Sequence, residues 1–312
     1  MLSLRYHLIS LVAVFLALAV GVVLGSTSVS GRLLAVVSGD RDHLTERADQ
    51  LAARNGQLET EQRAANGFAA SVAPGVVKGQ LDGRKVVLVV AAGTDPADRD
   101  AVRQLIGAAG GAVTGEVELT DAVTDPVRAD AVRDLTMRLL PSGAQLPSAA
   151  DAGGLAGGFL GSVLLRGPNG RQPATPDQVS AALAGLTQAG FVRPGPRPAP
   201  AQLAVVLTGG ANGGPNAAER AATLARLAGE LDRAGGGAVL AGRSGVEQAT
   251  GAVGVVRADP NVSGALTTVD DLQSPVGRVA TVLALREQAD GRAGRYGAGS
   301  TAQAPVPGAS AG

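Results

Sequence analysis

The chain of 312 residues has no cysteine, no tryptophan and only two histidines. Without cysteine there can be no disulfide and no thiolate metal site, although this does not identify the compartment. His7 and His43 both precede the part that reads as a folded body. That body therefore lacks the side chains that most often act as general base or nucleophile. Soft metals such as Cu(I) take thiolate, thioether or imidazole ligands, and here the body offers Met137 alone. The residues thus predict no enzyme, no resident cofactor and no metal site. His43 reads as a solvated helix residue. Aromatics make up only 2% of the chain, so a core must be built from Ala, Val and Leu, for which a hydrophobic content of 45% suffices. Lys78 and Lys85 are the only lysines, and arginine supplies nearly all the positive charge. With abundant Ala and Gly, this is the composition that a GC-rich genome imposes, as in actinobacteria. A net charge of 0 argues against a broad nucleic-acid footprint.

The most informative feature that is present is an uncharged run, LISLVAVFLALAVGVVLG, over Leu8–Gly25. As a helix it nearly spans a bilayer core. A cleaved signal peptide is one reading, with Val23 and Gly25 before Ser26 as its cleavage site. A retained signal-anchor is favoured, because the run is long, lacks a helix breaker at its end and is followed by helix-compatible sequence from Arg32. Arg5 precedes the run and Arg32 and Arg41 follow it, so charge bias barely chooses an orientation. Long C-terminal domains translocate largely regardless of charge. The expectation is therefore a single-pass cell-membrane protein with its N-terminus inside and its body outside the cytoplasm.

Val37, Leu44, Leu51, Leu58, Ala65 and Val72 then recur every seventh residue. Taken as d positions, they leave Leu34, Arg41, Ala48, Asn55, Gln62 and Ala69 at a. Such spacing among charged residues predicts a coiled coil. Leu44, Leu51, Asn55 and Leu58 are the expected seam of a parallel homodimer, with Asn55 as the polar a residue that fixes register. The alternative is one amphipathic helix folding back on the body. A helix over Leu33–Val72 would reach roughly 60 Å, and Pro74-Gly75 is expected to end it.

KVVLVVA (Lys85–Ala91) reads as a strand buried on both faces. A helix over Asp95–Ala109, a strand over Ala112–Leu119 and a helix over Asp130–Leu140 follow. Residues 141–158 read as loop, Phe159–Leu165 as a strand and Gln178–Ala189 as a helix. After the Pro-rich joint RPGPRPAPA (Arg193–Ala201) the pattern repeats. Leu203–Gly209 is a strand, Ala217–Ala234 a helix, Ala238–Gly242 and Val253–Arg257 strands, and Pro275–Gln288 a helix capped by Ser274. The fold class is α/β: an N-terminal transmembrane helix, a coiled-coil stalk and a doubly wound, mainly parallel sheet head. The expected divisions are 1–32 as cytoplasmic tip and signal-anchor, 33–74 as stalk, 80–296 as head and 297–312 as a disordered tail.

Few residues in the head point to chemistry. The loop TGGANGGPN (Thr208–Asn216) sits between strand and helix, where phosphate often binds, but it fits neither G-x-G-x-x-G nor Walker A. Asp95, Asp98 and Asp100 open a helix and favour its dipole. Asp270-Asp271 read as an anchor for a loop or for a divalent ion.

The opening MLSLRYHLISLVAVFLALAVGVVLGS and the closing VVRADPNVSGALTTVDDLQSPVGRVATVLALREQADGRAGRYG resemble the actinobacterial MctB family, labelled copper transporter. The pattern TTVDDLQ…GRVATVLAL…GRYG over Thr267–Gly297 is its most specific part. The resemblance implies copper export across the cell envelope, as a transport or outer-membrane channel component with copper as cargo, and an outer membrane of a mycolate envelope as the alternative location. It equally permits a second role seen in this family: an adaptor in cell separation that acts with a second membrane protein and controls a septal peptidoglycan hydrolase through its coiled coil. A membrane β-barrel needs many strands of alternating polarity, whereas this chain has solid apolar strands between helices. A single helix without intramembrane charge does not line an ion path. The residues therefore favour the adaptor and leave copper transport resting on the family label.

Overall fold

A computed structural model describes residues 4–147, 151–167, 170 and 174–308, with the side chains of the first helix described over 6–24 and from 44 onward. The expected a and d residues Leu34, Val37 and Arg41, and His43, lie outside the described side chains, and the tail beyond 308 lies outside the described residues. The chain divides into two compact units, residues up to 65 and residues from 66 on.

The first unit is formed by helix α1, which covers Leu4–Val77 in all. Its stretch Tyr6–Leu24 is 19 residues long, enough by length and composition to cross a membrane. Further along, Leu44, Leu51 and Leu58 expose 65%, 62% and 51% of their surface, which leaves a row of leucines open on the single chain. Asn55 is exposed on the same helix.

The second unit is built on one parallel sheet. In chain order, the end of α1 is followed by β1 (Lys85–Val90), α2 (Pro96–Ala108), β2 (Ala112–Glu118), α3 (Ala129–Leu139), α4 (Ala152–Leu164), α5 (Pro176–Gln188) and β3 (Leu203–Leu207). Then come α6 (Ala217–Ala234), β4 (Ala238–Ala241), α7 (Ala252–Ala258), α8 (Pro260–Ser263), β5 (Thr267–Val269), α9 (Pro275–Ala289) and β6 (Arg295–Tyr296). The strand order is β2-β1-β3-β4-β5-β6, and every pairing is parallel. Parallel sheets need cover on both faces, and the alternation of side chains supplies it. Val87, Val89, Ala204, Val206 and Leu240 join α4, α6 and α7 in one core. Val86, Leu88, Val90, Val205 and Leu207 join α2, α9 and the end of α1 in the other. Ala73 and Val77 are buried there, so the last turns of α1 belong to the folded body.

Local signals set the helix starts. Asp95 caps α2 by accepting from the Ala97 amide at 2.9 Å, and Ser274 caps α9 by accepting from Gly277 at 3.0 Å. Thr175 and Gln178 form a reciprocal capping box on α5.

Several expectations are corrected. Pro74 does not end α1, which runs on to Val77. Residues 152–164, expected as loop and then strand, are the buried helix α4, and Val253–Arg257, expected as a strand, lies in helix α7. A helix buried all round has no polar face to betray its period, and short apolar runs do not separate helix from strand. The stretch from 297, expected to be a disordered tail, contains Ala304, which is buried and bridges to Tyr296.

The glycines of α4 explain its burial. A Cβ on Gly157 would lie 2.4 Å from the Leu227 carbonyl oxygen of α6, so glycine is what lets the two helices approach. On Gly107 of α2, a Cβ would meet nothing within 4 Å. We expect Gly157→Ala to destabilise by about 1–3 kcal/mol through overpacking, and Gly107→Ala to stabilise by up to ~1 kcal/mol through helix propensity. Denaturant titration followed by circular dichroism checks both.

A second prediction concerns Asp232, near the end of α6, which accepts a 2.8 Å bond from the Ala238 amide. Burial pushes its carboxyl from 3.8 up to about 6, against the pull of that amide. The native state thus holds the proton more tightly than the unfolded chain does. The ionisation penalty is complete above about pH 6 and vanishes below 3.8. Between pH 7 and pH 5 the wild type should therefore gain stability relative to Asp232→Asn. Parallel pH-dependent unfolding curves would contradict this.

Candidate functional site

In open parallel sheets, ligands bind beyond the carboxyl ends of the strands, where the strand order reverses. Here that point lies between β1 and β3. It is flanked by the turn after Val90 and by the Gly-rich loop Thr208–Asn216. The two loops are tied together: Thr94 Oγ1 donates to the Leu207 carbonyl at 3.0 Å, and the Ala91 amide donates to the same oxygen at 2.8 Å.

Arginine reaches across this end of the sheet. Asp98, 0% exposed, accepts from Arg243 Nε at 2.6 Å and from Arg278 Nη2 at 2.8 Å. Arg243 Nη2 also meets Asp95 Oδ2 at 2.5 Å. The Arg243 amide donates to Gly209 O at 3.1 Å, which fixes the start of the Gly-rich loop to the same residue. Arg243 is held as a cation, its affinity for the proton raised chiefly by its bond to Asp98. Asp95 and Asp98 therefore do more than favour a helix dipole: one caps α2, and the other binds two arginines from distant elements. The loop itself is bonded internally, with Asn212 donating to the Thr250 carbonyl through both its amide, at 2.9 Å, and Nδ2, at 3.2 Å.

Asp270 follows β5 and anchors a loop, one of the two roles read from the sequence. Its Oδ1 accepts from the amides of Ala298 and Gly299 at 2.8 and 2.9 Å. Its Oδ2 pairs with Arg257 Nη1, and both side chains are almost fully buried, at 1% and 2% exposed. Arg257 also donates to Thr268 Oγ1 at 3.0 Å, to Thr301 Oγ1 at 2.9 Å and to the Tyr296 carbonyl at 2.8 Å. Burial lowers the Arg257 proton affinity, and the bond to Asp270 opposes that. Asp271 points elsewhere, toward Ser274 and Gln273, with burial raising its carboxyl. The two neighbouring aspartates thus serve different contacts. Among the described residues, no group of three or more His, Cys, Asp or Glu could hold a metal ion. Met137 is about half exposed on α3.

The chain is thus an α/β protein with an apolar N-terminal helix of membrane-crossing length and a body in which Asp98 and Asp270, at the carboxyl ends of the strands, are paired with arginines. The sequence profile of the family described as "Copper transport outer membrane protein, MctB" matches residues 1–307. The protein named "Copper transporter MctB" in Mycobacterium tuberculosis (strain ATCC 25618 / H37Rv) is 37% identical over 305 residues, covering 96% of this chain and 97% of that relative. Its namesake in Mycobacterium leprae (strain TN) is 35% identical over 308 residues, covering 96% and 97%. This chain belongs to the MctB family. The name that its relatives carry is that of a transporter, not of an enzyme.

The buried pair gives a prediction. Arg257→Met leaves Asp270 as an unpaired buried charge and should destabilise by about 3–5 kcal/mol. Arg292→Met, at an arginine 63% exposed in its ion pairs, should cost about 0–1 kcal/mol. Equal unfolding midpoints for the two variants would rule out a structural role for the pair.

Proposed function

We propose that this MctB-family protein is a single-pass, membrane-anchored adaptor of the cell envelope that acts without catalysis. The segment 6–24 is retained as the anchor, and the α/β head works outside the cytoplasmic membrane. Two copies pair in parallel through the stalk, with Leu44, Leu51 and Leu58 as its apolar row and Asn55 setting the register. The dimer engages a second membrane protein and, through the coiled coil, a peptidoglycan hydrolase of cell separation.

The observation that carries this reading is the leucine row. Side chains of this size, more than half exposed at heptad spacing on a long helix, are stabilised when a second helix covers them. The head adds support, because its charged clusters bind each other and the loops around them.

Copper transport is the second reading, favoured by the names of relatives that match nearly the whole chain. In that role copper is cargo, moved with further envelope components.

The stalk predicts that Leu51→Asp, which places charge in the seam, converts a sedimenting dimer to a monomer with the head still folded. Unchanged mass would count against the pairing. Deleting the gene separates the two roles. Altered septum resolution and lysozyme sensitivity at normal copper content are expected for the adaptor. Altered intracellular copper and copper tolerance with normal septa would establish the transporter instead.

A further inference from the structure

The edge strand β2 is not bare. The Pro-rich segment after Val192 runs beside it and is tied at two points: the Arg193 amide donates to the Glu118 carbonyl at 2.8 Å, and the Ala199 amide to the Thr114 carbonyl at 3.1 Å. Gly115 has φ +155°, and a Cβ there would lie 2.6 Å from Pro198, so the far end of the strap is pressed against the strand. Between the ties, Pro194 and Pro196 are exposed and offer no N–H. Strap, strand and the outer face of α2 enclose a groove of about 420 Å³.

The groove is built from charge. Arg99, Arg103, Arg193 and Arg197 line it against only two carboxylates, Glu116 and Glu118. Arg99 is well used: it lies 3.3 Å from each glutamate and 3.0 Å from Asp100. The other three have donors to spare, since a guanidinium carries five. Arg103 pairs with Glu116 and is 47% exposed. Arg193 is 69% exposed and meets Glu118 only at 3.6 Å, beyond direct hydrogen-bond range. Arg197 uses Nη1 on the Pro176 carbonyl and Ser180 Oγ, both at 3.1 Å. On the floor, burial raises the Glu116 carboxyl despite Arg99 and Arg103 beside it. An anion entering here meets excess positive charge and forked donors suited to carboxylates.

The walls also select a shape. Both the strap and β2 are extended, so the trough follows their direction. Prolines hold the strap extended in advance, which lowers the ordering cost of binding. We propose that this groove docks an extended, carboxylate-rich peptide segment of a partner protein, read by Arg103, Arg193 and Arg197. The proposal supplies the adaptor reading with a partner-binding face. It does not depend on stalk pairing, so failure of one leaves the other standing.

The test uses the full chain in detergent micelles and a fluorescent peptide of alternating Glu and Thr, followed by anisotropy at low salt. Saturable binding is expected, weakened by about tenfold or more in Arg103→Glu/Arg193→Glu and unchanged in Arg292→Glu, beside the opposite edge strand. Arg193→Ala, at an exposed position, guards against misfolding of the double variant and should weaken binding severalfold. Absence of saturable binding, or binding by Arg193→Ala as tight as wild type, would overturn the proposal. Oligogalacturonate that binds as tightly as the peptide would overturn the peptide assignment, because a sugar polyanion would then satisfy the site equally well.

Discussion

The second half of the sheet is organised by one buried ion pair, Arg257 with Asp270. Arg257 comes from α7 on one face, Asp270 from the carboxyl end of β5. Further donors of Arg257 and the second carboxylate oxygen of Asp270 are used on residues 268, 296, 298, 299 and 301. Burying two charges is costly unless geometry and extra hydrogen bonds compensate, and here the extra bonds reach β5, β6 and the stretch that follows. β5 has three residues and β6 two. Strands this short gain little from their own ladders. The pair gives them a shared polar anchor, and the stretch after 297 is held to the body through the same two side chains.

The rest of the stability comes from close approach. Of the four phenylalanines in the chain, Phe159 and Phe191 are in the described core, and both lie on the α4–α6–α7 face of the sheet. Leu, Val and Ala fill the remaining interior, and where backbones must come near enough to leave no voids the side chain is dispensed with. Gly153 and Gly157 do this for α4 against α6. Glycine is unfavourable in an isolated helix by roughly 1 kcal/mol per residue. Packing on all sides outweighs that, and α4 is buried along its whole length.

The same physics decides what could be seen in the sequence. β1 was legible because Val86–Val90 are continuously apolar and all but Leu88 are β-branched, and α6 because its apolar face keeps a helical period. The cap at Ser274 was legible because it acts over three residues. α4 was hidden by its glycines and by having no polar face. The role of Asp98 was hidden by distance, since its partners lie 145 and 180 residues further on. No local pattern marks such a pairing. Asp270 was visible as an anchor, but its counter-ion in α7 was not, because Val253–Arg257 looked like a strand. The groove beside β2 was equally hidden: the joint read as a connector, and its arginines gain their setting only when it lies along the edge.

The cover on that edge bears on crowding. Wherever copies are concentrated, a sheet with a naked outer strand invites neighbours to extend it. Here β2 is flanked by a strap with four prolines among its nine residues, and β6 at the other side is bridged by the backbone at Ala304. Neighbouring copies are thereby denied a template for lateral zippering, and solubility is protected by main-chain chemistry as well as by surface charge.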